Sequence, residues 1–212
     1  MSSSEEEQLA QIRDWWQRNG KPLLAGGALA LVLVFGWQAW KKHELEQSQA
    51  ASALYQQLLT EMLNSAQPDL AKVAELGGQL KKDFAGQAYA QYASLFLAKA
   101  ALDQGRLEEA ERELREVVAK PADETLGILG RQRLAQVLSA RGEPQQALDA
   151  LGGEAPASFQ AAQEELRGDL LLQLGRREEA HAAYRKAMES AAPDAALGAL
   201  QMKVDNLAQG EA

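Results

Sequence analysis

Residues 22–40 read PLLAGGALALVLVFGWQAW and contain no ionisable side chain. At about 1.5 Å per residue, a helix of this length covers roughly 28 Å, which is close to the hydrocarbon thickness of a bilayer. Lysines border the stretch, with Lys21 before it and Lys41 and Lys42 after it. The stretch therefore predicts a transmembrane helix over residues 22–41.

The four tryptophans of the chain support a membrane position. Trp15 and Trp16 precede the apolar stretch, and Trp37 and Trp40 lie at its far end. Indole rings favour the headgroup interface because they are apolar yet carry one N–H that needs an acceptor. The two pairs predict an aromatic belt at each face of the bilayer.

Three residues complete the predicted anchor. Pro22 stands where a new helix tolerates a missing N–H. Gly26 and Ala30 form a small-xxx-small pair that would allow another helix to approach closely. The preceding segment, Asn19-Gly20-Lys21-Pro22, predicts a break in the backbone before the span.

Two other interpretations of the apolar stretch are a buried core helix and a cleavable signal peptide. A core helix would normally carry a polar stripe, whereas this stretch has only Gln38 near its end. A signal peptide would end in small residues at a cleavage site, whereas Trp37 and Trp40 place bulk there. An uncleaved anchor agrees best with both observations.

The charges beside the anchor indicate its orientation. Arg13, Arg18 and Lys21 precede the span, and Lys41 and Lys42 follow it. Because Lys and Arg accumulate on the cytoplasmic side, this bias favours a cytoplasmic N-terminus. The chain then divides into a tail of residues 1–21, the span of residues 22–41 and a domain of residues 42–212.

The composition of the domain excludes several classes of function. Residues 43–212 carry 17 Lys and Arg against 26 Asp and Glu, a net charge of −9. Such a surface would repel nucleic acid and anionic lipid. The chain has no cysteine, which excludes disulfides and thiolate chemistry. About 170 residues suffice for one domain with a continuous core.

Helices are predicted throughout the domain. The chain runs from Lys42 to Asn64 without Gly or Pro, so the helix of the span should continue to Asn64. Residues 67–83 should form the next helix and residues 87–104 the one after it, separated by Phe84-Ala85-Gly86.

An internal repeat follows. Its glycines, Gly105, Gly142 and Gly175, are 37 and 33 residues apart, close to the period of about 34 residues of tetratricopeptide repeats. An alanine stands five residues after each glycine, at Ala110, Ala147 and Ala180. Each glycine should cap one helix in the left-handed conformation, and each alanine should lie where two helices cross.

The repeat predicts an all-α fold, a tetratricopeptide-like solenoid of antiparallel helix pairs behind one transmembrane helix. The alternative is an ordinary helical bundle in which Ala and Gly recur by chance. Large residues should fill the next turn of each second helix, at Leu114, Leu151 and Tyr184. Gly152 and Gly153 should shorten the middle pair, and Pro121 and Pro193 fall where repeats end.

No residue pattern in the chain supports catalysis, a metal or a cofactor. The two histidines, His43 and His181, are far apart in sequence and have no cysteine or carboxylate cluster around them. No nucleophile elbow and no phosphate-binding glycine pattern occurs. The sequence therefore predicts a protein that is not an enzyme and has no cofactor.

Several stretches carry a resemblance to a known family. They are Trp15-Trp16, Asn19-Gly20-Lys21-Pro22-Leu23, Gly36-Trp37-Gln38-Ala39-Trp40, Ala53-Leu54-Tyr55-Gln56, Leu95-Phe96-Leu97-Ala98, Arg131-Gln132-Arg133-Leu134-Ala135-Gln136-Val137, Leu166-Arg167-Gly168-Asp169-Leu170-Leu171 and Gln201-Met202-Lys203-Val204-Asp205-Asn206-Leu207. Together they resemble the YfgM family, the ancillary subunit of the SecYEG translocon in Gram-negative bacteria.

The resemblance implies a single-pass type II protein of the inner membrane with a periplasmic repeat domain and no catalytic residues. It implies the SecYEG translocon, the membrane-anchored chaperone PpiD and exported polypeptides as partners, with transfer of emerging chains to periplasmic chaperones as the role. Inner-membrane lipid would surround the anchor, and nucleic acid is not a partner. The alternative is an envelope scaffold whose repeats self-assemble or bind cell-wall machinery.

Tetratricopeptide register predicts a peptide-binding groove on the first helices of the pairs. Its residues would be Tyr92, Leu95, Lys99, Asp103, Gln132, Gln136, Ser139, Glu165, Asp169 and Gln173. Lys99 alone would be basic, which predicts extended neutral-to-basic or mildly apolar ligands rather than a C-terminal carboxylate. The alternative is that a C-terminal helix over residues 195–207 folds back and fills this groove.

Overall fold

The computed structural model describes residues 3–64, 68–192 and 197–208, and within these ranges the chain forms nine α-helices. They are α1 (Ser3–Asn64), α2 (Leu70–Asp83), α3 (Ala88–Asp103), α4 (Leu107–Ala119), α5 (Glu124–Ala140), α6 (Pro144–Leu151), α7 (Ala157–Gln173), α8 (Arg177–Glu189) and α9 (Gly198–Ala208). The prediction of an all-α fold is confirmed. Contacts divide the chain into two compact units, which meet in sequence between Ala50 and Ala51.

Helix α1 contains a segment that could span a membrane. Within Ile12–Leu63 it is long and apolar enough to cross a bilayer, and the apolar window has no buried residue. Leu31, Val32 and Phe35 are each more than half exposed. Side chains of this kind need an apolar environment, so the segment lacks the packing that would make it a core helix.

The predicted break at Asn19-Gly20-Lys21-Pro22 was wrong, because α1 continues through Pro22. The Asn19 side chain donates a hydrogen bond to the Trp15 carbonyl, 3.1 Å away, and so stays within the helix rather than capping a new one. A Cβ on Gly20 would lie 3.2 Å from the Trp16 ring, so glycine here makes room for the indole. Proline is tolerated inside membrane helices more often than inside soluble ones.

The remaining helices pair as the repeat predicts. Helix α3 packs against α4, α5 against α6, and α7 against α8. The residues between the partners of each pair include a left-handed glycine: Gly105 at φ 71°, Gly142 at φ 78° and Gly175 at φ 73°. These values favour glycine because a Cβ would clash with the backbone.

The three turns between paired helices share one hydrogen-bond pattern. The N–H after each glycine donates to the carbonyl five residues earlier: Arg106 to Ala101 at 2.8 Å, Glu143 to Leu138 at 3.0 Å and Arg176 to Leu171 at 2.9 Å. This 6→1 bond defines a Schellman motif. The same turn therefore recurs at the three positions that the sequence repeat predicts.

The three alanines that the repeat predicts at helix crossings are fully buried. Ala110, Ala147 and Ala180 are all 0% exposed, and Leu114, Leu151 and Tyr184 are each 1% exposed. Helix α6 ends at Leu151 because Gly152 adopts φ 78°, which makes the middle pair shorter than its neighbours, as predicted. Pro121 lies between α4 and α5, whereas Pro193 lies outside the described residues.

The core of the second unit consists of three clusters along the chain. The first joins the end of α1 to α2 and α3, the second joins α3 through α7, and the third joins α7, α8 and α9. Neighbouring helices supply each cluster, which is the arrangement of a tetratricopeptide-like array. The C-terminal helix begins at Gly198, and its predicted start at Ala195 lies outside the described residues.

Candidate functional site

A cavity of about 460 Å³ opens on the surface of the helical unit. Four of the predicted groove residues line it: Tyr92, Leu95, Lys99 and Gln136. The other lining residues are Tyr55 of α1, Phe96, Ala98 and Leu102 of α3, Leu114 of α4, and Leu129, Arg133 and Val137 of α5. Its size is typical of ligand pockets, which run from about 300 to 1,000 Å³.

Aromatic side chains form one wall of the cavity. The Tyr55 ring lies 5.7 Å from Tyr92 and 6.1 Å from Phe96, measured between ring centroids, and the neighbouring Tyr89 ring lies 5.4 Å from it. These are distances at which tilted aromatic pairs attract. Burial, followed by the neighbouring Tyr92 and Tyr89, raises the pKa of Tyr55, so the phenol stays neutral. The wall is therefore apolar and uncharged at neutral pH.

Three polar side chains stand at the cavity: Lys99, Arg133 and Gln136. Lys99 Nζ contacts both carboxylate oxygens of Asp103, at 3.1 and 3.0 Å. Arg133 Nη1 donates to Gln136 Oε1 at 2.9 Å, and this acceptor is a neutral amide. The predicted groove had Lys99 as its one basic residue, whereas the cavity is lined by both Lys99 and Arg133.

Gln132 directly precedes the cavity residue Arg133 in the sequence but does not line the cavity itself. It is only 9% exposed, and its Nε2 has no hydrogen-bond partner among the described residues. Ser139 Oγ donates a solvent-exposed hydrogen bond to Gln173 Oε1 at 3.0 Å, which joins α5 to α7. The predicted groove residues of α5 therefore have three different environments.

Glu165 and Asp169 are engaged by the C-terminal helix. Lys203 Nζ of α9 lies 2.9 Å from Glu165 Oε1 and 2.7 Å from Asp169 Oδ1. The Tyr184 hydroxyl donates to Asp169 Oδ1 at 2.7 Å, and Lys203 Nζ lies 5.3 Å from the Tyr184 ring centroid. Lys203 of α9 thus contacts both carboxylates and compensates part of their charge, while the cavity is lined by α1, α3, α4 and α5.

The electrostatics of this contact favour the docked helix at neutral pH. Burial opposes the charge on Lys203, but hydrogen bonds from its ammonium to Asp169 and Glu165 raise the pKa of Lys203 above its ordinary value. Burial, followed by the hydrogen bond to Asp169, also raises the pKa of Tyr184. Both groups therefore keep their protons at neutral pH, and the network stays intact.

Replacing Lys203 with alanine is expected to lower the free energy of unfolding by about 1 kcal/mol at pH 7, because the contact is partly exposed to solvent. A raised folded-state pKa gives stability that is complete below the ordinary pKa of 10.5 and is lost as pH rises through the folded value. The difference between wild type and Lys203→Ala should therefore be constant near neutrality and shrink above about pH 10.5.

Urea unfolding of the full-length protein in detergent, followed by circular dichroism across this pH range, measures that difference. Lys82→Ala is the matched control, since Lys82 is exposed at the end of α2. A Lys203→Ala variant as stable as Lys82→Ala at pH 7 would contradict the ion-pair account.

In the described part of the chain, no group of three His, Asp or Glu side chains is placed to hold a metal ion. His43 lies in α1 and His181 in α8.

The predicted groove did not include eight of the residues that line the cavity: Tyr55, Phe96, Ala98, Leu102, Leu114, Leu129, Arg133 and Val137. Tyr55, near the C-terminal end of α1, contributes its ring to the cavity wall. In α5 the cavity residues are Leu129, Arg133, Gln136 and Val137, spaced by four, three and one. The predicted groove contained Gln132 and Gln136, whereas the cavity is lined by Gln136 and by Arg133, the residue after Gln132.

One exposed apolar helix segment and a set of antiparallel helix pairs with repeated Schellman turns define a membrane-anchored helical-repeat protein. Residues 13–209 match the family model described as a tetratricopeptide repeat-like domain. Curated relatives named "Ancillary SecYEG translocon subunit" span nearly the same length. The protein from Escherichia coli K12 is 30% identical over 207 residues, which is 96% of this chain and 97% of that protein.

Two further relatives carry the same name. The Aggregatibacter actinomycetemcomitans protein is 32% identical over 187 residues, covering 88% of this chain and 90% of that protein. The Neisseria gonorrhoeae protein is 29% identical over 205 residues, covering 96% and 97%. The chain belongs to the family of ancillary SecYEG translocon subunits. The resemblance to the YfgM family is confirmed, and membership of a family of translocon subunits agrees with a protein that is not an enzyme.

Proposed function

We propose that this protein is a non-catalytic protein-binding module tethered beside the SecYEG translocon in the inner membrane. Its repeat domain lies in the periplasm, associates with a PpiD-like membrane chaperone, contacts exported polypeptides and passes them to periplasmic chaperones. The proposal rests on one observation. This member of a translocon-subunit family combines an exposed apolar helix segment with an open, largely apolar cavity. Such a cavity is the kind of surface that binds apolar side chains of an extended segment.

The anchor supplies a surface for other membrane helices. A Cβ added at Gly26, Gly27 or Gly36 would meet no atom within 4 Å. Small residues allow helix backbones to approach closely in lipid, where packing drives association. The pair Gly26 and Ala30 is the predicted contact with a translocon helix, with Pro22, Trp37 and Trp40 setting the depth of the span.

Exchanging residues 22–40 for an unrelated transmembrane sequence tests the tether. The exchanged protein should stay in the membrane but lose co-purification with SecYEG. A matched pair of point variants sharpens this test: Gly26→Leu should weaken co-purification, and Gly36→Leu, outside the predicted pair, should not. An envelope scaffold would function with any span, so unchanged co-purification after the exchange would favour that alternative.

The proposed orientation rests on Arg13, Arg18 and Lys21 before the span against Lys41 and Lys42 after it. Protease added to spheroplasts should digest the domain beyond Lys42 and spare a tag placed before Trp15. Spheroplasts opened with detergent are the control, since the tag should then be cleaved. Protection of the repeat domain in intact spheroplasts would overturn both the orientation and the periplasmic role.

A further inference from the structure

We propose that the cavity selects polypeptide segments in which an aromatic or large aliphatic side chain lies within about two residues of an Asp or Glu. This inference rests on the proposed function and specifies its ligand. It reverses the preference for neutral-to-basic ligands that the sequence predicted for a groove containing Glu165 and Asp169. Those two carboxylates share the Lys203 ammonium, which compensates part of their charge, and neither of them lines the cavity.

The two cations at the cavity differ in how far their charge is compensated. Lys99 is held by Asp103 one turn along α3. Arg133 donates to the amide oxygen of Gln136, and among the described residues no carboxylate lies within salt-bridge distance of it. An amide oxygen leaves the guanidinium charge in place and most of its N–H groups free to donate. Of the two cations, Arg133 should therefore form the more favourable ion pair with an incoming carboxylate.

Apolar residues of α5 lie on both sides of Arg133 at the cavity. Leu129 and Val137 are one helical turn before and after Arg133 and line the same cavity. One turn is about 5.4 Å, and an extended peptide advances about 3.3 Å per residue. Because side chains of an extended peptide alternate between its two faces, a ligand side chain packed beside Leu129 or Val137 would place a carboxylate two residues away, about 6.6 Å along the peptide, on the same face near Arg133.

The net charge of the domain works against this selection only at long range. Residues 43–212 carry a net charge of −9, which repels acidic ligands at a distance. At physiological ionic strength the screening length is about 8 Å, so exposed charges farther away contribute little. A direct Arg–carboxylate pair is charge-assisted and can be bidentate. The local contact therefore decides the preference in physiological salt.

Fluorescence anisotropy with labelled peptides tests the inference on the full-length protein in phosphatidylcholine nanodiscs, whose lipid carries no net charge. The peptides share a Gly/Ser host and carry the two test residues two positions apart at the centre, as Phe-Gly-Asp, Phe-Gly-Lys or Ala-Gly-Asp, abbreviated Phe-Asp, Phe-Lys and Ala-Asp. Phe-Asp should bind best, and the Phe-Lys and Ala-Asp peptides should each bind about three- to tenfold more weakly, the range of a modest ion pair or a partly buried side chain. Lowering the salt should reduce the advantage of Phe-Asp over Phe-Lys.

Variants at Arg133 separate the charge preference from binding itself. Arg133→Glu should reverse the order of affinity for Phe-Asp and Phe-Lys. Arg112→Glu makes an equal charge change at an exposed position of α4 and should leave that order unchanged. The fold should tolerate both, because both side chains are exposed. Leu102→Trp should weaken all peptides by filling the cavity, since Leu102 is 39% exposed and lines it.

Equal binding of Phe-Asp and Phe-Lys to the wild type would overturn the acidic preference and leave the proposed function standing. Binding of no peptide would overturn the preference together with the assignment of this cavity to polypeptides. Arg133-dependent binding of decanoate without any peptide binding would assign the cavity to a free fatty acid and likewise overturn the inference.

Discussion

Replacing Tyr184 with alanine should lower the free energy of unfolding of the helical domain by about 3–5 kcal/mol, the range for removing a large buried ring. The ring is 1% exposed and lies in the cluster that joins α7, α8 and α9. Its hydroxyl donates to Asp169, and Lys203 lies over its face. Alanine would remove all three interactions and leave a cavity beneath α9.

Tyr184→Phe is the matched control, because it keeps the ring and removes only the hydroxyl. It should lower the free energy of unfolding by about 1 kcal/mol, the net contribution of one hydrogen bond. Asp169 would still contact Lys203. Urea unfolding of the full-length protein in detergent gives both values. Equal losses for Phe and Ala would mean that the ring does not fill the core as the structure shows.

Gly168→Ala should destabilise the domain by about 1–3 kcal/mol, although alanine favours helices. The added Cβ would lie 2.4 Å from Cε1 and 2.5 Å from Cδ1 of Tyr184, and the buried ring has little room to move. This overpacking should exceed the roughly 1 kcal/mol that Ala gains over Gly inside a helix.

Gly78→Ala is the control with the opposite expected sign. Gly78 is a helical glycine of α2 at which an added Cβ meets no atom within 4 Å. The substitution should therefore stabilise the protein by about 0.5–1 kcal/mol through helix propensity alone. A Gly168→Ala variant as stable as Gly78→Ala would show that α7 and α8 do not cross at this glycine.

The repeat could be predicted because its signals are local. A left-handed C-cap requires glycine at one position, and a close helix crossing requires a small residue five positions later. Gly105, Gly142 and Gly175 adopt that conformation, and the alanines after them are buried. The early end of α6 could also be predicted, because Gly152 directly follows its last residue, Leu151, and ends the helix.

The course of α1 could be predicted only in part. Its apolar stretch and its continuation to Asn64 follow from composition. The segment from Asn19 to Pro22 has the residues of a turn, yet Asn19 bonds back to Trp15 and Gly20 accommodates Trp16. Turn propensity is a weak preference, and these contacts within the helix override it.

The site was harder to predict than the fold. Arg131, Gln132 and Arg133 are consecutive polar residues, and successive residues of a helix point about 100° apart. Periodicity could not decide which of them faces the cavity, and the structure places Arg133 there and buries Gln132. The Lys203 contacts with Glu165 and Asp169 join residues more than thirty positions apart, which no local pattern encodes.

Site-specific photocrosslinking in living cells tests the central claim most directly. Crosslinkers would replace Tyr92 and Gln136 at the cavity and exposed Arg112 on α4, in cells whose export substrate is held in the translocon. The account predicts adducts with the exported chain or with a periplasmic chaperone from Tyr92 and Gln136, and few from Arg112. Equal adducts at all three positions, or adducts only within the protein itself, would contradict it.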